Sequence, residues 1–391
     1  MNIDRLRAET PGCAHVTHFN NAGAALMPQP VLDAQLRHLE LEARIGGYEA
    51  AAHAKGALED THRAVADMLG ASSEEIAFVD NATRAWGAVF FGMDFKPGDR
   101  ILTARASYAS NFIGMLQRAR KMDLHIDVAP DDEHGQVDVD ALEKLIDSRT
   151  RIICLTHIPT NGGLVNPAAE VGKVARKHGI PFLLDACQSA GQMPLNVDEL
   201  GCDALSATGR KFIRGPRGTG FLYVRQPFID QLEPPFLDLH AADWTTPDSY
   251  RLHADHRRFE TWEINFAGKI GLGVAVRYAQ DIGLAAIRSR VDGLAGTLRS
   301  ALREIPDITV HDSGLVKSGT VTFSHRKRDA TEIKSALLAQ GINTSVAVPS
   351  GALLDALNRG LPDMVRASVH YYNTVEEIEA LVEALSDLQT S

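Results

Sequence analysis

One lysine in this sequence stands in surroundings that suit covalent chemistry. The segment Ala207–Gly218 reads Ala-Thr-Gly-Arg-Lys-Phe-Ile-Arg-Gly-Pro-Arg-Gly, so Lys211 has small, hydroxylated and arginine neighbours. A lysine in a crowded, partly desolvated site has a lowered pKa and can form a Schiff base. Hydroxyls, backbone N–H groups and arginine are also the groups that bind a phosphate. The segment therefore predicts a reactive lysine beside an anion site.

An aspartate upstream of this lysine completes a set of chemical requirements. Asp185 ends the apolar run that begins at Ile180. A cofactor that withdraws electrons through a pyridine ring needs a carboxylate to keep the ring nitrogen protonated. A reactive lysine, a phosphate site and this carboxylate together point to pyridoxal 5'-phosphate (PLP). No metal is expected, because the four cysteines (Cys13, Cys154, Cys187 and Cys202) form no CxxC pair.

Composition argues against several classes of function. The chain has 391 residues, a formal net charge of −10 and 45% hydrophobic residues, an ordinary composition for a globular protein. No basic stripe is available for nucleic acid. No uninterrupted apolar run reaches the ~18 residues that suggest a membrane span. We therefore expect a cytoplasmic protein that acts on a small molecule and binds neither nucleic acid nor a membrane.

The order of predicted elements favours an α/β fold. Between about residues 61 and 224, apolar strand-like runs alternate with helical patterns, which predicts a mostly parallel central sheet with helices on both faces. Ile180–Leu184 is one such strand. Because ligands of open α/β sheets sit beyond the carboxyl ends of strands, Asp185 is well placed to meet one.

The pattern changes after Asn265, which predicts a second, smaller α+β domain. Two long helical patterns, Gly268–Ile282 and Leu284–Glu304, are followed by alternating strands and helices. The last helix should begin with a capping box, because Glu377 follows Thr374 by three residues. We predict an N-terminal segment over 1–16, a large domain over 17–265 and a small domain over 266–391, with the N-terminal residues packing against the small domain.

Six short motifs carry a family resemblance. They are Asn20-Asn21-Ala22-Gly23, Asn81-Ala82-Thr83, Asp185-Ala-Cys-Gln188, Thr208-Gly-Arg-Lys211, Phe259-Glu260, and Arg366-Ala-Ser368 with Tyr372-Asn373-Thr374. In this order they resemble the class V aminotransferase group of fold-type I PLP enzymes, which includes the cysteine desulfurases. The resemblance covers nearly the whole chain, and it implies the fold-type I architecture and a homodimer with the site at the subunit interface.

The resemblance implies a role for each predicted cofactor residue. Lys211 would form the Schiff base and later move the substrate's α-proton. Asp185 would pair with the pyridinium nitrogen, and Gln188 would bond the phenolic oxygen. The other predicted cofactor contacts are Ala82 and Thr83 at a helix start, Thr208 and Arg210 with Thr83 on the phosphate, Tyr108 stacked on the ring, and Asn161 near the cofactor oxygen, where Thr160 is an alternative.

The resemblance also implies substrate contacts. Arg366 would hold the α-carboxylate of an amino-acid substrate, since a bidentate Arg–carboxylate clamp suits that group. Ala22 would line the same pocket. Tyr48, in the turn Gly46-Gly47-Tyr48, would sit at its mouth, and Trp262 could line it where the family usually has a Gly-Thr pair. Plain packing is an alternative reading for both aromatic residues.

The reaction is predicted from a residue that is missing. A persulfide-forming desulfurase needs a nucleophilic cysteine on the loop before the Arg-Ala-Ser strand, and the loop 346–360 contains no cysteine. The segments Glu42–Tyr48 and Arg210–Gly218 resemble those of the C–S lyases, such as hercynylcysteine sulfoxide lyase. We therefore predict β-elimination from an S-substituted cysteine or its sulfoxide, giving a thiol-type product, pyruvate and ammonia.

Other reactions stay open at this stage. Isopenicillin-N-epimerase-like members also lack the cysteine, but they need a second acid/base, for which the candidates are Tyr108 and His157. Class V transamination requires only that Lys211 move the proton to the cofactor. A PLP-binding protein without activity is disfavoured by the retention of both Lys211 and Asp185.

Overall fold

A large, mostly parallel sheet forms the centre of the fold. The computed structural model describes residues 1–388. Seven strands of the described chain make up this sheet, in the spatial order Ile76–Val79, Gly220–Val224, Ala204–Thr208, Phe182–Asp185, Thr150–Thr156, Arg100–Ala104 and His125–Ala129. Gly220–Val224 runs antiparallel to both of its neighbours, and the other adjacent pairs are parallel. The predicted α/β fold with a mostly parallel central sheet is confirmed.

Both faces of this sheet are buried, as expected when helices cover each side. Alternate residues of a strand point to opposite faces. In the strand Thr150–Thr156, Ile153 and Leu155 therefore join one hydrophobic core, whereas Ile152 and Cys154 join the other. This two-sided burial explains why the central strands read as continuous apolar runs in the sequence.

Helices surround the larger sheet on both sides. They are Gln29–Ile45, Gly47–His53, Lys55–Leu69, Ala82–Phe90, Ala109–Met122, Val139–Lys144, Ala168–His178, Val197–Leu200 and Gln226–Ile229. The helix Ala168–His178 follows Pro167 and ends at Gly179, which adopts a left-handed conformation with φ of 64°. These are the start and stop signals that the sequence contains.

A second, smaller sheet lies in the C-terminal third of the chain. This antiparallel sheet has the order Ile308–Val310, Thr320–His325, Met364–Ser368 and Ser345–Ala347. The helices of this part of the chain are Phe266–Ile282, Leu284–Glu304, Ala330–Ala339, Leu353–Arg359 and Val375–Asp387. The capping box predicted for the last helix is present, because Thr374 and Glu377 each bond the other's backbone N–H.

The N-terminal and C-terminal parts of the chain are joined. The strand Thr17–His18 pairs in parallel with Ile342–Asn343, and Leu6 of the helix Ile3–Ala8 is buried in the C-terminal core. The helix Phe266–Ile282, which lies beyond the predicted domain boundary, buries Leu272 and Val276 in the core of the larger sheet. This interlocking packing joins the two ends of the chain to each other and the C-terminal part to the larger sheet.

Two further features complete the fold. The hairpin Ala242–Thr246 and Ser249–Leu252 is exposed along most of its length, so it carries no strong apolar pattern in the sequence. Within residues 1–388, no single helix has the length and hydropathy to span a membrane. Phe266–Ile282 and Leu284–Glu304 meet these criteria only as a pair, which is bent by 78°.

Candidate active site

Asp185 lies at the carboxyl end of a central strand, where the parallel neighbours also end. The strand Phe182–Asp185 pairs with Ala204–Thr208 so that Asp185 lies opposite Ser206. Its side chain is buried and accepts a 2.8 Å hydrogen bond from Asn111 Nδ2 at Oδ2. The backbone N–H of Cys187 donates to Oδ1 at 3.0 Å. A buried carboxylate that accepts two hydrogen bonds has a defined orientation.

Lys211 follows the next strand and faces the same cleft. Burial lowers the pKa of its ammonium group, while Cys187 and Asp185 counteract that effect. The positive charges of Arg210 and Arg366 lower the pKa further. Because these residues act on one another electrostatically, the structure brings Lys211, Asp185, Arg210 and Arg366 together. A lysine whose pKa is lowered has a larger neutral fraction near neutral pH than a surface lysine, and the neutral amine is the form that acts as nucleophile or base.

The turn that carries Lys211 is held by close packing. Gly191 has a φ of 91°, and a Cβ atom there would lie 2.4 Å from the carbonyl carbon of Phe212. A side chain at this position would collide with the backbone next to Lys211. Arg214, whose own φ is 64°, donates its backbone N–H to the Lys211 carbonyl at 2.9 Å.

Arg214 also ties this turn to the two ends of the chain. Its fully buried guanidinium donates from Nε to the Leu26 carbonyl at 2.7 Å and from Nη2 to Thr10 Oγ1 at 2.6 Å. It also donates to the Tyr371 hydroxyl and lies 4.4 Å from the centre of the Tyr372 ring. Arg214 is therefore a positioning residue for Lys211, although the sequence alone did not single it out.

The predicted phosphate residues lie near one another at the end of the sheet where the strand Ala204–Thr208 ends. Ala82 and Thr83 start the helix Ala82–Phe90, which Asn81 caps by accepting from the Arg84 N–H at 3.0 Å. A Cβ atom on Gly220 would lie 3.3 Å from the Asn81 carbonyl carbon, and Gly220 pairs with Thr208. The helix start therefore lies next to the strand end that precedes Lys211. The positive end of a helix dipole favours an anion at this place.

The side chains of these residues differ in their exposure and in their hydrogen bonds. Thr83 is exposed. Thr208 is buried and donates to the Thr219 carbonyl at 3.3 Å. Arg210 donates to the Gly23 carbonyl, and its own carbonyl accepts from the Ala25 N–H at 2.9 Å. Burial and the charge of Arg217 lower the pKa of Arg210.

Gln188, three residues after Asp185, contacts Ala22. Gln188 Nε2 donates to the Ala22 carbonyl at 3.2 Å, whereas Gln188 Oε1 is buried and has no hydrogen-bond partner in the described chain. The Ala22 N–H donates to Ser368 Oγ at 2.8 Å. A buried polar atom without a partner costs about 1–3 kcal/mol, so an unpaired acceptor here fits a site that holds a polar ligand.

Arg366 provides a second sign of a ligand site. It lies in the central strand of the smaller sheet, and its Nη1 donates to Thr160 Oγ1 at 2.7 Å and to the Thr160 carbonyl at 3.1 Å. Its Nε is buried without a hydrogen-bond partner, and no acidic side chain of residues 1–388 forms a salt bridge with it. Burial, together with Arg210, lowers the pKa of Arg366 to about 10. The guanidinium therefore stays charged at neutral pH and offers donors to an anion.

Tyr108 and Asn161 take different places in this cleft. Tyr108 precedes the helix Ala109–Met122, and it is near enough to Arg210 and Arg366 to offset part of the lowering of their pKa values that burial causes. Asn161 is buried, but its Nδ2 donates to the Val348 carbonyl at 2.9 Å, so its amide is used to hold the loop that precedes Arg366. Thr160, the alternative to Asn161 as a cofactor contact, is hydrogen-bonded to Arg366, the residue predicted to hold the substrate carboxylate.

Tyr48 and Trp262 are brought together, but around a separate cavity. Both line a cavity of about 270 Å³ with His240, Glu260 and Lys269, and neither Lys211 nor Arg366 borders it. Tyr48 is 73% exposed and Trp262 is 49% exposed. Within one chain, the structure therefore does not group these two aromatic residues with the Lys211 cleft.

Known proteins resemble this chain over nearly its whole length. Residues 17–381 match the Aminotransferase class-V family. The probable cysteine desulfurase of Methanothermobacter thermautotrophicus is 30% identical, covering 99% of this chain and 98% of the relative. The probable cysteine desulfurase of Pyrococcus abyssi is 29% identical, with 99% and 97% coverage.

Solved structures give the same result. The apo structure of a cysteine desulfurase from Thermococcus onnurineus superposes with a TM-score of 0.93 at 30% identity, covering 99% of this chain and 98% of that one. A complex of a cystine C–S lyase with its product cysteine persulfide has a TM-score of 0.86 at 24% identity, covering 97% and 99%, and supports the fold alone. The chain therefore belongs to the class V aminotransferase family and is a fold-type I, PLP-dependent enzyme.

Proposed function

We propose that this protein is a C–S lyase that eliminates a thiol-type product from an S-substituted cysteine or its sulfoxide, leaving pyruvate and ammonia. The proposal is supported by the cleft around Lys211 and by the cysteine desulfurases among the relatives. One observation carries the choice of reaction. The loop 346–360 in front of the Arg366 strand contains no cysteine that could accept sulfur from the substrate.

The residues of the cleft suit PLP. Lys211 would attach it, Asp185 would hold its ring nitrogen and Gln188 its phenolic oxygen. The phosphate would lie at the start of the helix Ala82–Phe90 with Thr83, Thr208 and Arg210, and Tyr108 would stack on the ring. When bound, PLP withdraws electrons from the substrate's α-carbon, which makes the α-proton removable.

The protein groups then perform the elimination. Arg366, oriented by Thr160, holds the α-carboxylate and so fixes the bond to be broken. Lys211 Nζ takes the α-proton, since its lowered pKa leaves a larger neutral fraction. The C–S bond breaks with its electron pair on sulfur, which accepts the proton from Lys211 Nζ and leaves as the thiol, or as the sulfenic acid when the substrate is a sulfoxide. The remaining three-carbon fragment is hydrolysed to pyruvate and ammonia.

Epimerisation and transamination are the alternatives, and the first lacks support from the cleft. An epimerase needs a second group that exchanges protons near neutral pH. His157 is buried and contacts Ser189 Oγ at 3.0 Å, and burial lowers its pKa to about 4. It is therefore not poised for that role. Transamination uses the same lysine, so kinetics must separate it from elimination.

The deciding experiment is a product assay with purified holoenzyme. A panel of S-alkyl cysteines, their sulfoxides, cystine and cysteine is incubated with the enzyme, and pyruvate, ammonia, alanine and ketoacid are measured. Equal release of pyruvate and ammonia from an S-substituted substrate supports the proposal. Alanine formation from cysteine would establish desulfuration instead, and ketoacid exchange without pyruvate would establish transamination.

We also propose a cytoplasmic homodimer. Leu32, Leu36 and Leu39 are exposed along one side of the helix Gln29–Ile45, and such an apolar row favours burial by a second copy. The cysteines of the chain are all unpaired, which suits a reducing compartment. Sedimentation measurements test the dimer. A Leu36→Glu variant should dissociate it, whereas an exposed change on another face, Leu338→Glu, should not.

A further inference from the structure

A second group of chemically capable side chains lies outside the cleft. His62, His256 and Glu260 each offer one ligand atom, and these three atoms lie within 4.8 Å of one another. His62 belongs to the helix Lys55–Leu69, whereas His256 and Glu260 belong to the segment that follows the exposed hairpin. We call these three residues the His-His-Glu cluster. Its members come from distant parts of the sequence.

The carboxylate of this cluster is firmly oriented. Glu260 is buried, and its Oε1 accepts from the Phe78 backbone N–H at 2.7 Å and contacts His62 Nε2 at 2.7 Å. The other oxygen, Oε2, is 3.2 Å from His240 Nε2. A carboxylate that is hydrogen-bonded on both oxygens resembles the supported ligands of metal centres, whose partners fix orientation.

His256 supplies an independent sign of a missing ligand. Its Nδ1 is buried and has no hydrogen-bond partner among the described residues. Its ring lies against that of His62, with centroids 4.6 Å apart. Buried polar atoms are nearly always paired, so an unpaired imidazole nitrogen beside a second imidazole and a carboxylate needs an explanation. A bound cation would supply one.

The donor set is typical of zinc. Two histidines and one glutamate are a known set of three protein ligands for zinc, and such sites leave the fourth coordination position open. With Zn–N and Zn–O distances of about 2.0–2.2 Å, tetrahedral ligand atoms lie about 3.3 Å apart. To reach this spacing, His62 Nε2 and Glu260 Oε1 would move slightly apart from their distance of 2.7 Å. The two most widely separated ligand atoms, which are at most 4.8 Å apart, would move closer together. Side-chain rotations provide such movements.

The cluster has a route to solvent. Glu260, His240 and Lys269 border the cavity of about 270 Å³ that Tyr48 and Trp262 also line. An ion could enter from this cavity, and a water molecule there could fill the fourth position. This role does not depend on the reaction proposed for the Lys211 cleft, because no residue of that cleft borders the cavity.

One cation is already close to the cluster. Lys269 Nζ lies 3.4 Å from His62 Nε2 and 3.9 Å from Glu260 Oε1, and it also packs over the Phe78 ring. A metal ion and the lysine ammonium would compete for the same carboxylate. Removal of Lys269 should therefore strengthen metal binding. If the cluster serves only as an ion-pair network, removal of Lys269 should not increase its affinity for a metal ion.

We propose that His62, His256 and Glu260 bind a divalent transition-metal ion, with Zn²⁺ the best match, at a site separate from the Lys211 cleft. His240 orients the glutamate, and the adjoining cavity admits the ion.

The test uses metal-stripped holoenzyme, titrated with Zn²⁺ against a chromophoric chelator. One equivalent per chain should bind, and His62→Gln and His256→Gln should each weaken binding at least tenfold. His53→Gln, at an exposed histidine on the neighbouring helix, is the matched control and should bind as the unaltered protein does. Lys269→Met should tighten binding. PLP absorbance and circular dichroism confirm that each variant is folded.

Co²⁺ gives a spectroscopic test of geometry. A tetrahedral His-His-Glu site should give visible d–d bands well to the red of PLP absorbance, and His256→Gln should abolish them. The proposal is overturned if the holoenzyme binds no Zn²⁺ equivalent, or if the histidine variants bind like the control. It is also overturned if Lys269→Met leaves the affinity unchanged.

Discussion

Asn111 donates a 2.8 Å hydrogen bond to Asp185 Oδ2, and the two residues come from different βα units of the larger sheet. The bond presents Asp185 in one orientation at the carboxyl end of its strand. Because Cys187 N–H holds the other oxygen, the carboxylate cannot turn freely. Asn111 is thus a positioning residue, which no sequence motif indicated.

We expect Asn111→Ala to lower kcat/KM about tenfold to a hundredfold, since a hydrogen bond to a charged group is worth about 1.5–3 kcal/mol. Asp185→Asn should cost more, because it removes the charge itself. The measurement is steady-state turnover with the best substrate from the product assay, together with PLP absorbance. Asn111→Asp should be worse than Asn111→Ala, since a second carboxylate would repel Asp185. If Asn111→Ala and Asn111→Asp were as active as the unaltered enzyme, the proposed role of Asn111 would be contradicted.

Arg366 should govern substrate binding. Replacing it with alanine removes the unpaired buried donor at Nε and should lower kcat/KM at least a hundredfold, chiefly through KM. Arg366→Lys should recover only part of this loss, because lysine cannot form the bidentate contact. Thr160→Val, which removes the 2.7 Å bond that orients Arg366, should cost about tenfold. An unchanged KM in Arg366→Ala would show that another group holds the carboxylate.

Lys211 should make the apoenzyme sensitive to pH. Burial lowers its pKa in the folded protein, so the folded state binds this proton more weakly than the unfolded state does. The resulting destabilisation is complete below the folded-state pKa, and it disappears as the pH rises through the ordinary lysine value of about 10.4. Apo Lys211→Met should therefore be more stable than the unaltered apoenzyme at neutral pH, and the difference should shrink towards pH 10–11. Urea unfolding across this range measures it; a difference that grows with pH would refute the argument.

Arg214 should be essential for stability. Its guanidinium bonds Leu26 and Thr10 from the N-terminal region and Tyr371 from the C-terminal region. Arg214→Met would leave several buried acceptors unpaired and should cost about 3 kcal/mol or more. Thermal unfolding should show a lower Tm than for Arg217→Met, a matched change at an exposed arginine of the same turn. Equal Tm values in the two variants would show that the buried contacts are dispensable.

Much of the fold follows from local signals in the sequence. The strand that ends at Asp185 is an apolar run because it is buried on both faces. The helix after Pro167 ends at Gly179, and the last helix starts with its Thr374–Glu377 box. The hairpin at 242–252 was not predicted, since its exposed side chains need no alternating apolar pattern. Motif order also indicated PLP and Lys211.

Other contacts depend on packing between distant segments. The bond between Arg366 and Thr160 spans 206 positions, and that between His62 and Glu260 spans 198. Tyr48 and Trp262, which were expected at the substrate pocket, instead share the cavity beside the His-His-Glu cluster. The sequence by itself determined the class V family and singled out Lys211 and Asp185 as the predicted Schiff-base lysine and its carboxylate, because short motifs encode them. Only the tertiary structure decided which donors orient Asp185 and Arg366 and which histidines meet Glu260, because side-chain contacts across a fold have no local signature.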